Sequence, residues 1–234
     1  MLNDFLYASA GVSEPMKAVI VLPEIYGLKA FAKELADTCA AELGFTGYAL
    51  DYFFELTGQA NDFDYRAGVQ RGMELMGQMT GEKFLAILER AVQAIQERQP
   101  QLAELMVIGF CFGGRLAFLS GVNPRVQRIV SFYGAGSNGL DFYQGDSAIG
   151  ALTTARRHDD TLRVFAAFGA QDESIPAEDR AKIAQRLGEA GIHYEAHEYA
   201  AGHAFFNDDR PDRYVATAAQ ASWHDLKAWL QASA

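Results

Sequence analysis

The stretch that most constrains this chain is residues 104–118, ELMVIGFCFGGRLAF. There an apolar run, Leu105-Met106-Val107-Ile108, meets Gly109-Phe110-Cys111-Phe112-Gly113-Gly114 before Leu116, Ala117 and Phe118 resume with helical spacing. The pattern predicts a strand, a sharp turn and a helix. A side chain at the tip of such a turn sits in a strained backbone conformation, and a Cβ two residues to either side would collide with neighbouring backbone. Gly109 and Gly113 occupy those two positions, and Gly114 adds room. The turn also sets Cys111 at a helix N-terminus, where free amides and the helix dipole favour an anion. The competing reading is a buried cysteine in a Gly-rich turn of the kind that binds phosphates.

The rest of the chain alternates strands with amphipathic helices. Residues 17–22, KAVIVL, are a β-branched run ending at Pro23 and followed by the loop Glu24-Ile25-Tyr26-Gly27. A helix over about 29–43, closed by Gly44, keeps Cys39 in step with Phe31, Leu35 and Leu43, so Cys39 reads as core. Tyr48-Ala49-Leu50 is a second strand. Residues 55–80 read as loop and then a weak helix, and 82–98 as a helix whose apolar positions repeat at three and four until Pro100. After the elbow come a strand at 128–133, a polar, Gly-rich segment at 134–160 and a strand at 163–169. Pro176 starts a further helix as an N1 proline, and a strand at 192–199 and a helix over about 211–232 close the chain. This order predicts a mostly parallel central sheet with helices on both faces.

Composition narrows the function classes. The 234 residues are half apolar, with no linker, repeat or low-complexity tract, so one domain over 1–234 is expected. A net charge of −10, with dispersed acids, argues against nucleic acid and anionic lipid as partners. The N-terminus lacks the basic and apolar regions of a signal peptide, and no run reaches the ~20 apolar residues that span a bilayer; a cytoplasmic protein is expected. Two cysteines are too few for a disulfide framework. No metal is expected, because no His-x-x-x-His or paired-Cys spacing occurs, and the first strand opens no dinucleotide fingerprint.

Ligands of such sheets bind at the carboxyl ends of the strands, and Glu24, Cys111, Asp172 and His203 each fall just after an inferred strand. A thiol is only a few per cent ionised near pH 7, so nucleophilic catalysis needs a base beside it and a group to orient that base. Cys111, Asp172 and His203 stand in the order nucleophile, acid, imidazole of the α/β-hydrolases. Asp172 also has an ordinary reading as a turn residue before Ser174 and Pro176, with Glu173 a rival for the orienting role. A carboxylate near a thiol raises the thiol pKa, so Glu24 near Cys111 would keep the resting nucleophile neutral and protected from oxidation. His158, His193, His197 and His224 read as solvated or core-edge residues.

Four motifs in order, Pro23-Glu24-Ile25-Tyr26-Gly27, the elbow 109–114, Gly169-Ala170-Gln171-Asp172 and Ala201-Gly202-His203-Ala204-Phe205, resemble the dienelactone hydrolase family from about residue 17 to the C-terminus. The resemblance implies an α/β-hydrolase fold and a carboxymethylenebutenolidase-like enzyme without cofactor, acting on a small ester or lactone. It implies Cys111 as nucleophile, His203 as proton carrier, Asp172 as orienting acid and a thioester intermediate. The backbone amides of Ile25 and Phe112 would form the oxyanion hole, and Glu24 would swing aside when substrate binds. Such enzymes hold a substrate carboxylate with arginines, one of them a few residues after the histidine. Here Asn207 stands at that position, Arg66 or Arg71 is the candidate for the other arginine, and Tyr133 and Phe205 are further candidate substrate contacts. These departures argue against dienelactone itself as substrate, and the 134–160 segment, with Tyr143 and Arg156, is expected to reshape the mouth. A monomer or small homo-oligomer is expected.

Two other readings remain open on the sequence. A non-catalytic or redox-sensing relative would use Cys111 as a sensor. A glutaminase-like amidohydrolase would pair Cys111 with His193 and Glu195, which alternation puts on one strand face.

Overall fold

The computed structural model describes residues 5–10, 16–139 and 142–232. The strands are β1 (Leu6–Ala8), β2 (Lys17–Leu22), β3 (Thr46–Leu50), β4 (Glu104–Phe110), β5 (Arg128–Phe132), β6 (Arg163–Gly169) and β7 (His193–Tyr199). They form one sheet in the order β1-β3-β2-β4-β5-β6-β7. Every neighbouring pair is parallel except β1 with β3. The continuous apolar runs become the inner strands, buried on both faces, whereas β7 lies at an edge and keeps every residue but Tyr199 exposed or half-buried.

The helices are α1 (Ala30–Thr38), α2 (Phe54–Thr57), α3 (Val69–Gln78), α4 (Gly81–Arg98), α5 (Phe112–Ser120), α6 (Ala148–Ala155), α7 (Ala177–Glu189) and α8 (Ala216–Ala232). Helix α1 packs on β2 and β3, and α8 on β6 and β7. The run α4-α5-α6-α7 packs helix to helix, with α5 against β4 and β5. Helix α4 shows why these residues form these elements. Thr80 caps it by accepting a hydrogen bond from the Lys83 amide, and Phe84, Ile87, Leu88, Ala91, Val92 and Ile95 bury one stripe.

Register fixes where the loops emerge. Leu22 pairs with Gly109, Phe110 with Phe132, Phe132 with Ala167, and Gly169 with Tyr199. The segments carrying Glu24, Cys111, Tyr133, Asp172 and His203 therefore leave the sheet along one edge.

Several local expectations change. The helix expected over 29–43 is α1 followed by a wider π-helical turn, Cys39–Leu43, and Gly44 ends it at φ 72°. Cys39 is fully buried, and burial pushes its thiol pKa up. Pro176 is the N-cap of α7, one position earlier than N1. Helix α8 begins at Ala216, which frees residues 206–214 for turns beside the site. Strand β1 has no counterpart in the sequence pattern, because three residues are too few to show a period. The 134–160 segment, of which 140 and 141 lie outside the described residues, contains α6. Its Arg156 is buried against the carbonyls of Gly121, Asn123 and Val126, beyond the C-terminal end of α5, so it does not shape the mouth.

Candidate active site

Cys111 adopts φ 56°, ψ −119°, between the last residue of β4 and the first of α5. The glycine positions are enforced by backbone. A Cβ on Gly109 would lie 2.0 Å from the Gly113 carbonyl oxygen, and one on Gly113 would lie 2.3 Å from that of Leu22 and 2.4 Å from that of Pro23. The elbow is thus pressed onto the loop that carries Glu24 and Ile25. Tyr52, at the exit of β3, is buried with its hydroxyl 2.9 Å from the carbonyl oxygens of both Pro23 and Glu24, and its ring packs edge-on to Phe112 at 5.8 Å. Asp51, also buried, accepts from the amide and the side chain of Asn61, and the Asn61 carbonyl in turn accepts from the Leu28 amide. The close contact of Gly113 with Leu22 and Pro23 lies one residue after Phe112 and two before Ile25, and among the described residues neither the Ile25 nor the Phe112 amide donates to a protein acceptor.

Two further exits bring in the acid and the imidazole. The Ala170 amide bonds the Tyr199 carbonyl and the Gln171 amide the Ala201 carbonyl, at 2.8 and 2.9 Å, tying the loops after β6 and β7 together. His203 Nδ1 then lies 2.7 Å from Asp172 Oδ2. The Ser174 amide and hydroxyl both donate to Asp172 Oδ1, at 2.9 and 2.5 Å. Asp172 is therefore a turn residue and the partner of His203 at once, while Glu173 is exposed. Burial alone would lower the His203 pKa, but the hydrogen bond to Asp172 and the adjacent Cys111 sulfur outweigh it and lift it to about 10. At Asp172 burial opposes the anion, yet hydrogen bonds from His203 and Ser174 carry the carboxyl below its ordinary range.

Glu24 is almost fully buried and, among the described contacts, none joins it to the Cys111 sulfur. Its carboxylate instead receives the Tyr133 hydroxyl at 3.3 Å and Arg210 at 3.5 Å, with Asn207 also donating. Burial dominates here and raises the Glu24 pKa, although Arg210, His203, Asn207 and Tyr133 all favour the anion. Arg210 lies between the rings of Tyr26 and Tyr65, at 5.4 and 5.9 Å, and its Nε is buried without a partner.

The candidate substrate contacts need correction. Tyr133 and Phe205 have no exposed surface: Tyr133 acts on Glu24, and Phe205 packs among Tyr133, Phe132 and Tyr199. Arg66 is exposed, and Arg71 pairs with Glu74 on its own helix, so neither touches the site residues. Arg210, Ser174 and Tyr52 are site residues that the sequence does not single out, because each gains its role from a neighbour distant in sequence or from a hydroxyl with no motif around it. Tyr143 lies against Gly81, and the preceding Phe142 packs edge-on to Phe112 at 6.0 Å, so the first half of the 134–160 segment does reach the elbow. The glutaminase-like pair is excluded by register. His193 pairs with Arg163, Arg163 with Arg128, and Arg128 with Met106, which puts His193 at the opposite end of the sheet from Cys111. At about 3.3 Å per residue the separation along the strands is roughly 16 Å. Among the described residues no cluster of three His, Cys, Asp or Glu could hold a metal ion, and no helix is long and apolar enough to cross a membrane.

A mostly parallel sheet with a nucleophile-type elbow at its carboxyl edge defines an α/β-hydrolase. The structure of the "Putative Dienelactone Hydrolase" of Klebsiella pneumoniae superimposes with a TM-score of 0.78 at 27% identity, over 94% of this chain and 89% of that one. The sequence matches the profile of the dienelactone hydrolase family over residues 2–234, and the chain belongs to that family. A "Putative carboxymethylenebutenolidase" of Synechocystis is 29% identical over 238 residues, 98% of this chain and 93% of its own. One of Escherichia coli K12 is 28% identical over 219 residues, covering 93% and 77%. The protein is a dienelactone hydrolase-like carboxylic ester hydrolase.

Proposed function

We propose that the enzyme cleaves a small ester or lactone through Cys111, His203 and Asp172, by way of a thioester. The observation that carries this reading is His203 held at 2.7 Å by Asp172 at the same sheet edge as the strained elbow of Cys111. With Nδ1 engaged by Asp172, Nε2 is the nitrogen left for the sulfur. The Cys111 thiolate attacks the carbonyl carbon, and the carbonyl electrons move to an oxygen met by the amides of Ile25 and Phe112. Collapse expels the alkoxide, which takes the proton of His203 Nε2; in a lactone this oxygen stays tethered to the acyl group. Water then attacks the thioester as Nε2 removes its proton, and Cys111 leaves as thiolate.

Glu24 held by Tyr133, Asn207 and Arg210 leaves the sulfur and imidazole to pair, which is the arrangement the attack needs. A resting position against the thiol would serve the guarding role. Arg210 is a cation available to a substrate carboxylate, since among the described residues its ion-pair contacts are long, 3.5 Å to Glu24 and 4.0 Å to Asp212. Arg210→Met is expected to raise KM for a carboxylate-bearing lactone at least tenfold more than KM for a neutral ester, the scale of a hydrogen bond to a charged group, because the neutral ester registers only the loosened hold on Glu24. Equal effects on both substrates would remove Arg210 from recognition.

The raised His203 pKa has a definite sign in the rate. The imidazolium persists through neutrality, so kcat/KM should hold across that range and fall as pH rises through about 10, where His203 loses its proton. A basic limb near pH 7 would contradict the ion pair.

The function is tested with p-nitrophenyl acetate and a panel of small lactones, comparing wild type with Cys111→Ala and weighing the protein for an acyl adduct. Turnover and an adduct on Cys111 in wild type, both lost in the variant, are expected. Turnover that survives Cys111→Ala would refute the mechanism, and a folded wild type with neither turnover nor adduct would favour the sensor reading.

A further inference from the structure

We infer that Ser174 is a positioning residue of this site: its hydroxyl gives its own proton to Asp172 and accepts a share of the proton on His203 Nδ1. The imidazole is then held by two oxygens on one turn. The inference rests on the Cys111-His203-Asp172 reading and adds a residue that the resemblance does not assign.

The geometry leaves the hydroxyl little choice. Ser174 Oγ lies 2.5 Å from Asp172 Oδ1 and 3.0 Å from His203 Nδ1, while Nδ1 lies 2.7 Å from Asp172 Oδ2. A hydroxyl has one proton, and an ionised carboxylate can only accept, so that proton goes to Oδ1. Toward His203 the oxygen is then an acceptor, and Nδ1 must carry the hydrogen. Ser174 thus joins Asp172 in keeping a hydrogen on Nδ1, so that when Nε2 gives up its proton to the leaving group the neutral imidazole keeps Nε2 toward the sulfur. Because the Ser174 amide also donates to Oδ1 at 2.9 Å, that oxygen has two donors and the carboxylate cannot rotate to exchange its oxygens.

The turn that carries the hydroxyl is itself anchored. The Ile175 amide bonds the Asp172 carbonyl at 3.2 Å, Ile175 is buried, and its carbonyl accepts from Arg180 at 2.7 Å. Ser174 itself is exposed, so its replacement leaves the core untouched. Besides Ser174, four groups face His203: Cys111 from the elbow, Asp172 from the exit of β6, Glu24 from the loop after β2, and the Tyr133 ring, 5.1 Å away, from the exit of β5. Ser174 contacts His203 and Asp172 but none of the others. Burial raises the Asp172 pKa, and Ser174 is one of the donors that more than offset it, so losing the hydroxyl makes this carboxylate easier to protonate.

The experiment measures kcat, KM and the pH profile on p-nitrophenyl acetate for wild type, Ser174→Ala and Ser174→Thr, with Cys111→Ala and His203→Ala as controls and melting temperatures for all. Ser174→Ala is expected to lower kcat roughly three- to tenfold, the scale of one hydrogen bond, with KM and melting temperature unchanged. Its acid limb should move toward neutrality, and Ser174→Thr, which keeps the hydroxyl, should restore both. A Ser174→Ala enzyme with the wild-type kcat and acid limb overturns the inference, as does a loss that threonine fails to restore. Turnover in Cys111→Ala or His203→Ala would bring down the triad reading itself, and the inference with it.

Discussion

His203→Ala should lower kcat/KM on a small lactone, whose leaving oxygen is an alkoxide, by at least about four orders of magnitude, since altering the orienting acid of such a triad costs ~10⁴ and removing its imidazole ~10⁶. Two separate contributions vanish together. The imidazolium that favours the Cys111 thiolate is gone, and so is the Nε2 proton that the leaving alkoxide needs. Asp172 cannot compensate, because it is buried and its oxygens face His203 and Ser174. The two effects can be separated by following alkylation of Cys111 with iodoacetamide at pH 7, which reads the thiolate fraction without any leaving-group chemistry. Alkylation should slow by a smaller factor than turnover. A variant within tenfold of wild type in kcat/KM would show that another group moves the proton.

Gly113→Ala is expected to be strongly destabilising. The added Cβ would lie 2.3 and 2.4 Å from the carbonyl oxygens of Leu22 and Pro23, and neither can retreat. Leu22 is held in register opposite Gly109, and the Pro23 carbonyl accepts from Tyr52. A cost of about 3 kcal/mol or more, the upper range for backbone strain, corresponds to roughly 6–12 °C in melting temperature for a chain of this size. Gly77→Ala is the matching control. Gly77 lies inside α3, and a Cβ added there would meet nothing within 4 Å, so alanine should be neutral or stabilising by up to about 1 kcal/mol. Equal melting temperatures for the two variants would show that the elbow tolerates a Cβ and that its glycines are not sterically required.

The parts of the molecule legible from sequence are those in which a local pattern and its structural consequence coincide. The inner strands announce themselves as β-branched runs because both of their faces are buried, and the elbow does so because steric exclusion writes glycine at fixed offsets. Asp172 and His203 are reachable because the loops bearing them follow clear strands. Arg210 is not, since its position beside Glu24 depends on α8 starting at Ala216 and on the turns that precede it. Tyr133 and Phe205 are mistaken for substrate contacts for a related reason. Aromatic residues flanking a site look alike in sequence whether they line the cavity or support it, and only the packing of Tyr133 against Phe110, Phe132 and Phe205 tells which. Arg156 shows the same limit for a charged residue, because its partners are backbone carbonyls that carry no side-chain signature.

The two ends of the sheet have a consequence for how copies of this protein can meet. At one end β7 presents His193, Glu195, His197 and Glu198 along its length, and at the other β1 offers only three residues, running against its neighbour. A short strand and a charged strand are both poor templates for another chain's backbone. Growth of the sheet from molecule to molecule is therefore disfavoured at each end.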